Sequence, residues 1–263
     1  MSPAVNGTEV PFTEARYDDV VLVLAAHGST RRPDANAAIE RHAQRMRTTG
    51  PFANVVTTFL IGEEPSRSFI NCITGEIILI VPFMMAEGYL AEEVSRQIRK
   101  AMHARTQTTQ TTPKVYVTAT VGTHEGVAKI AARNASKILT LNGCKSEDAS
   151  VVVVAHGSRG RPESRQAAQQ QVERLRLMQC FRNVELAMLE EAPMLSDVLA
   201  DIQGPCAVVG LFAAPGGHAI DDVQLAIANS GRSDIYDAGP VGTDDRMTEI
   251  AVLRAIQTLQ KYS

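Results

Sequence analysis

The sequence predicts an α/β protein built as two tandem halves, each a four-stranded parallel sheet with helices on both faces. Two observations carry this. The first is an internal repeat: Leu22 to Ser29 reads LVLAAHGS and recurs as VVVVAHGS from Val151 to Ser158. A fixed shift of 129 positions, the distance from His27 to His156, takes Pro33 onto Pro162, Phe52 onto Phe181, Phe83 onto Phe212 and Gly88 onto Gly217. It also takes the pair Glu92-Glu93 onto Asp221-Asp222. The second is the alternation of short β-rich runs with longer segments of helical period, the signature of βαβ units.

In order, Val20 to Ala26 is a strand, apolar throughout as expected when both faces are covered. A helix from Asp34 to Arg47 follows, then a strand from Val55 to Leu60 and a short helix after Pro65. The half continues with a strand from Ile77 to Phe83, a helix from Glu92 to Ala104, a strand from Lys114 to Ala119 and a helix from Glu125 to Leu141. The Thr/Gln-rich stretch from Gln107 to Thr112 suits a surface loop. The second half repeats the course: strand Val151 to Ala155, helix Glu163 to Met178, strand Val184 to Leu189, helix Leu195 to Ile202. It ends with strand Ala207 to Phe212, helix Ile220 to Asn229, strand Asp234 to Asp237 and helix Asp244 to Gln260. The chain thus divides into a polar lead-in, 1–19, a first half, 20–143, and a second, 150–263, with 142–150 as the linker.

Over 263 residues, 44% are hydrophobic and 21% charged, the composition of a soluble globular protein, and the net charge of −3 gathers neither nucleic acid nor anionic lipid. No apolar run reaches the length of a membrane helix. Cys72, Cys144, Cys180 and Cys206 are scattered, with no Cys-x-x-Cys pair and no secretory leader ahead of them. They read as reduced thiols of a cytoplasmic protein, not as a zinc or iron-sulfur set.

Parallel sheets bind ligands at the carboxyl ends of their strands. Both His-Gly-Ser turns lie there, as do Glu190 and the Gly216-Gly217-His218 turn. His156, His218 and Glu190 or Glu191 therefore form a set suited to a divalent first-row metal, with positions left open for a reactant. A lone histidine after a strand is more often a hydrogen-bonded turn residue; repetition in register and a second histidine favour the ligand reading. Ser29 and Ser158 read first as caps of the helices that follow, and second as groups that hold a carboxylate at a helix start. Glu63, Glu64, Glu190 and Glu191 lie where acidic residues favour helix N-termini in any case. Arg31, Arg32, Arg159 and Arg161 are either solvated loop charges or partners of an anionic substrate. Without gaps, Tyr89 stands opposite His218 and Ile61 opposite Glu190, so the first half keeps only His27. A gapped match of Glu63-Glu64-Pro65 to Glu190-Glu191-Pro193 would restore a carboxylate but not the second histidine.

The apolar strand with His-Gly-Ser, the Leu-Glu segment before a proline, and Phe-x-x-x-Gly-Gly-His followed by an acidic pair resemble the CbiX/SirB branch of the class II chelatases, in its long two-domain form. The resemblance spans nearly the whole chain. It implies two flavodoxin-like (chelatase-like) halves facing each other across a substrate cleft, in a monomer. The implied activity is insertion of Co²⁺ or Fe²⁺ into sirohydrochlorin for cobalamin or siroheme synthesis, with Ni²⁺ handled by relatives. The resemblance gives His156, His218 and Glu190 as catalytic groups and metal ligands, and His27 as a further ligand position. The ring carboxylates would meet Ser29, Ser158 and Arg159. The metal is a substrate, and no permanently bound cofactor is expected. Neither is ATP, since no Gly-x-x-x-x-Gly-Lys motif occurs. A non-catalytic metal or tetrapyrrole carrier is the alternative. A Ser-His hydrolase fits poorly, because neither half has Gly-x-Ser-x-Gly.

Overall fold

The structure, a computed structural model, describes residues 16–30, 33–61, 75–106, 113–158, 160, 162–215 and 217–262. Most of the lead-in, the short helix expected after Pro65 and the 107–112 loop lie outside the described residues, as do Glu63, Glu64, Cys72, Arg31, Arg32, Arg159 and Arg161.

The first half holds β1 (Val20–Ala26), α1 (Pro33–Thr49), β2 (Asn54–Phe59), β3 (Ile77–Pro82), α2 (Tyr89–Thr106), β4 (Lys114–Val117) and α3 (Gly126–Leu141). The second holds β5 (Ser150–Ala155), α4 (Glu163–Met178), β6 (Asn183–Met188), α5 (Leu195–Asp201), β7 (Cys206–Gly210), α6 (Gly217–Asn229), β8 (Ile235–Pro240) and α7 (Arg246–Tyr262). All strand pairs are parallel, in the orders β2-β1-β3-β4 and β6-β5-β7-β8. Strand order reverses at β1 and at β5, so the carboxyl ends of these two strands are the natural ligand positions. Two helices begin earlier than their sequence pattern indicates: α2 at Tyr89 instead of Glu92, and α6 at Gly217 instead of Ile220. His218 therefore sits in the first turn of a helix and not in a loop ahead of it.

Alternation along β1 sends Val21, Val23 and Ala25 to an outer core under α2, and Leu22, Leu24 and Ala26 to an inner one. The inner core is continuous with Val151, Val153 and Ala155 of β5, so a single apolar layer of helices lies between the two sheets. Its helices are exchanged. α3 packs on β7, β8 and α4, while α7 packs on β3 and α1. Tyr116 of β4 accordingly stacks on Tyr262 of α7, ring centroids 4.7 Å apart. The strands of each half stay within 20–143 or 150–263, but each sheet takes one covering helix from the other half.

The exchange is fastened at two related points. Gln171 of α4 donates to the Gly122 carbonyl, 2.7 Å, and His42 of α1 donates from Nε2 to the Gly242 carbonyl, 2.8 Å. Both glycines lie in short 3₁₀ turns, Val121–Thr123 and Val241–Thr243, and a Cβ on either would overlap backbone, at Met85 or at Ala213. His42 is buried and stacked on Phe83, and its Nδ1 accepts from the Thr248 hydroxyl at 2.8 Å. Because a carbonyl can only accept, Nε2 carries the proton of a neutral ring. Burial pushes the His42 pKa below 6.5, against the opposing pull of the Gly242 hydrogen bond and of Asp245. The unfolded chain then binds a proton more readily than the folded one, so this contribution is whole above pH 6.5 and declines as pH falls from there toward the lowered folded value. His42→Gln, which copies Gln171, is expected to stay within about 1 kcal/mol of the parent near neutrality. It should also lose part of the acid sensitivity of the melting temperature between about pH 7.5 and pH 5; equal acid slopes in the two proteins would contradict this.

Candidate active site

The two His-Gly-Ser turns leave β1 and β5 with the same geometry. Gly28 and Gly157 adopt φ of +77° and +74°, the left-handed region that glycine enters without cost. A Cβ at Gly28 would strike Phe59 and the Ile61 carbonyl; one at Gly157 would strike Glu191. The chain after the second strand then reads back onto the turn: Ile61 N–H donates to the His27 carbonyl and Glu190 N–H to the His156 carbonyl, both at 2.9 Å. Ile61 and Glu190 are thus structural equivalents, as the ungapped shift requires.

Both turns open on one cleft between the sheets, a cavity of about 420 Å³ lined by His27, Ser29, His156 and Ser158 together with Glu87 and Glu163. Its apolar surface comes from Met84, Met85, Tyr89 and Leu90 on one side and Leu211 and Phe212 on the other. A larger groove of about 700 Å³ runs along α2 and contains none of the candidate metal residues.

His156 stands edge-on to Phe212, ring centroids 4.8 Å apart at 60°. Desolvation by the cleft walls lowers its pKa, Glu190 and Asp222 pull it back up, and His27 pushes it down again. The lowered pKa favours the neutral ring, the state needed for metal binding or for accepting a proton. His27 is exposed and directs Nδ1 at the Gly28 carbonyl, 3.2 Å. Donation there leaves Nε2 as the basic nitrogen.

Ser158 plays a different part from the one expected. The described α4 starts at Glu163, with Pro162 in the cap position and no side-chain cap, so Ser158 does not cap it. Its amide donates to Glu191 Oε1 at 3.3 Å, and Glu191 is in turn held by Arg165 at 2.9 Å. Arg165 first, and the Ser158 amide after it, keep the Glu191 carboxyl below the usual range. The Ser29 amide donates to Asn36 Oδ1 at 2.9 Å, while Asn36 Nδ2 returns a bond to the Ser29 carbonyl. Both turn amides are thus engaged within the protein. Glu191 supports the turn, so of the two adjacent glutamates it is Glu190, exposed just beyond β6, whose charge acts on His156.

The structure brings His27 and His156 to one cleft and Glu190 and Asp222 into the electrostatic field of His156. The backbone of His218 is in the first turn of α6; its side chain and Arg159 lie outside the described residues. Among the described residues, no three His, Cys, Asp or Glu side chains are close enough to hold an ion together. Asp222 was noted in the sequence only as part of the acidic pair after His218 and was given no role at the site. Its signal was there in the spacing, since it follows His218 by four positions, one helical turn.

Comparison with known proteins fits this fold. A curated relative, described as a probable sirohydrochlorin cobaltochelatase of Halobacterium salinarum, is 25% identical over 264 aligned positions, covering 89% of this chain and 90% of its own. Among solved structures, CbiX, described as the terminal enzyme of siroheme biosynthesis in denitrifying bacteria, superposes with a TM-score of 0.73 at 20% identity, covering 92% of this chain and 99% of that one. The sirohydrochlorin chelatase SirB of Bacillus subtilis subspecies spizizenii, solved with cobalt, gives 0.71 at 16% identity, covering 92% and 96%. The CbiX family model matches twice, over residues 21–138 and 150–258, once for each half, and the chain belongs to that family.

Proposed function

We propose that this protein is an ATP-independent chelatase that inserts Co²⁺ or Fe²⁺ into sirohydrochlorin, serving cobalamin or siroheme synthesis. The observation that carries the reading is the pair of repeated histidines opening on one apolar cleft, where desolvation lowers the pKa of His156. A flat macrocycle needs such a slot, and a metal ion entering it needs donors that release as readily as they bind.

In this reading His156 and His218 take the ion from water, Glu190 balances its charge, and His27 faces it from the other sheet. Imidazole and carboxylate suit both metals and hold neither as tightly as a thiolate set would. Insertion forms metal bonds to the ring nitrogens and expels two protons from the pyrrole N–H groups. Those protons pass to the neutral imidazoles and from them, by way of Glu190, to solvent. The carboxylates of the ring would meet the Ser29 and Ser158 hydroxyls, which line the cleft, and Arg159. The protein would act as a cytoplasmic monomer, with ring and ion as its partners and neither nucleic acid nor membrane involved. Among the described residues no helix is long and apolar enough to cross a membrane.

The test is spectrophotometric. Purified protein, metal-free sirohydrochlorin and Co²⁺ or Fe²⁺ without ATP should show the absorbance change of metal insertion well above the uncatalysed rate. Tight binding of ring or ion with no rate enhancement would mark a carrier instead.

A further inference from the structure

Seven large hydrophobic side chains are exposed among the described residues, and three of them, Ile61, Tyr89 and Leu90, are 41%, 55% and 42% exposed at the carboxyl end of the first sheet. They stand around His27. Their placement is specific: Ile61 holds the backbone position that Glu190 holds in the second half, shown by the matching hydrogen bonds to His27 and His156. Tyr89 is the counterpart of His218 by the fixed shift, and each lies in the first turn of its helix, α2 or α6. The first half has therefore put apolar groups where the second has a carboxylate and an imidazole. Isolated exposed apolar residues need no explanation, but a cluster lining a cleft marks a binding surface. Tyr89 and Leu90 line the cleft beside Met84 and Met85, so their exposure is exposure to the ligand space.

We propose that the first half is a ring platform with no metal site of its own: Tyr89, Leu90 and Ile61 cover one flat face of the macrocycle, and metal handling belongs to the second half. This rests on the reading of the cleft as a tetrapyrrole site. A tyrosine ring offers a stacking face with little rotamer entropy to lose, and leucine and isoleucine add apolar area without competing for the ion. The division of labour gives the ring one orientation, with a metal-delivering face and a covered one.

Two sets of variants test it, read by binding of metal-free sirohydrochlorin and, separately, by Co²⁺ titration. The double variant Tyr89→Ala with Leu90→Ala is expected to weaken sirohydrochlorin binding about tenfold or more, as for loss of an aromatic anchor. KM should rise more than kcat falls, and Co²⁺ binding should stay unchanged. The double variant Ile61→Glu with Tyr89→His restores the missing donors, and is expected to bind an additional Co²⁺ per chain while losing affinity for the ring. Thermal melts check that each variant is folded, which exposed positions favour. Unchanged ring affinity in the first variant, or no additional Co²⁺ in a folded second variant, would overturn the platform. Tyr89-dependent ring binding by a parent protein that inserts no metal would instead leave the platform standing and remove the chelatase reading.

Discussion

Replacing His156 by alanine is expected to lower the rate of metal insertion by roughly 10²- to 10⁴-fold, the range seen when a group that moves a proton at the reacting centre is removed. His156 combines what the step requires: it is exposed to the cleft, desolvation by the cleft walls lowers its proton affinity, and Glu190 and Asp222 lie within its electrostatic reach. The turn that carries it is fixed independently by Gly157 and by the Glu191–Arg165 pair, so the loss should appear in activity with the melting temperature little changed. His218→Ala should match it, and His27→Ala should cost less, because Ile61 and Tyr89 leave His27 without the donors that accompany His156. Loss of turnover on His27→Ala alone would move the metal site to the first half.

Ending the chain before Arg246 is expected to unfold the first half although the deletion lies wholly in the second. Helix α7 buries Met247, Ile250, Val252, Ile256 and Leu259 in the shared inner core and packs on β3 and α1. At about 1.5–3 kcal/mol for each large side chain, their loss is on the order of 10 kcal/mol. That is comparable with the whole stability of a domain, typically ~5–15 kcal/mol. Hydrogen exchange on the truncated chain should show protection lost in β1 and β3 before β5 and β7, since α3 still covers the second sheet. Loss beginning in β5 and β7 would contradict the exchange of helices.

The duplication and strand order were legible because β1 and β5 are continuous apolar runs of strand length and because the His-Gly-Ser turns repeat in register. The exchange of α3 and α7 was not. Val127, Ile130 and Leu139 mark a buried stripe on α3, but an apolar stripe is as satisfied by one sheet as by the other, and only tertiary packing decides between them. The start of α6 was placed late because Gly216-Gly217-His218 reads as a turn, whereas Gly217 opens the helix; α2 likewise starts directly after Gly88, which has φ +114°. Ser158 was read as a cap because Ser before a helix commonly is one, but four residues separate it from Glu163, and its amide found Glu191 instead. His156 and Glu190 converge through backbone pairing between adjacent strands, which the βαβ pattern implies. Asp222 acts on His156 from α6, a relation that spacing only hints at.

The most direct measurement is X-ray absorption of the Co²⁺-loaded protein, which counts imidazole ligands, with His156→Ala, His218→Ala and His27→Ala beside the parent. The account predicts histidine nitrogen in the Co²⁺ shell, reduced by either of the first two substitutions more than by the third. A shell indifferent to His156→Ala, or one that changes only on His27→Ala, would contradict a metal site in the second half.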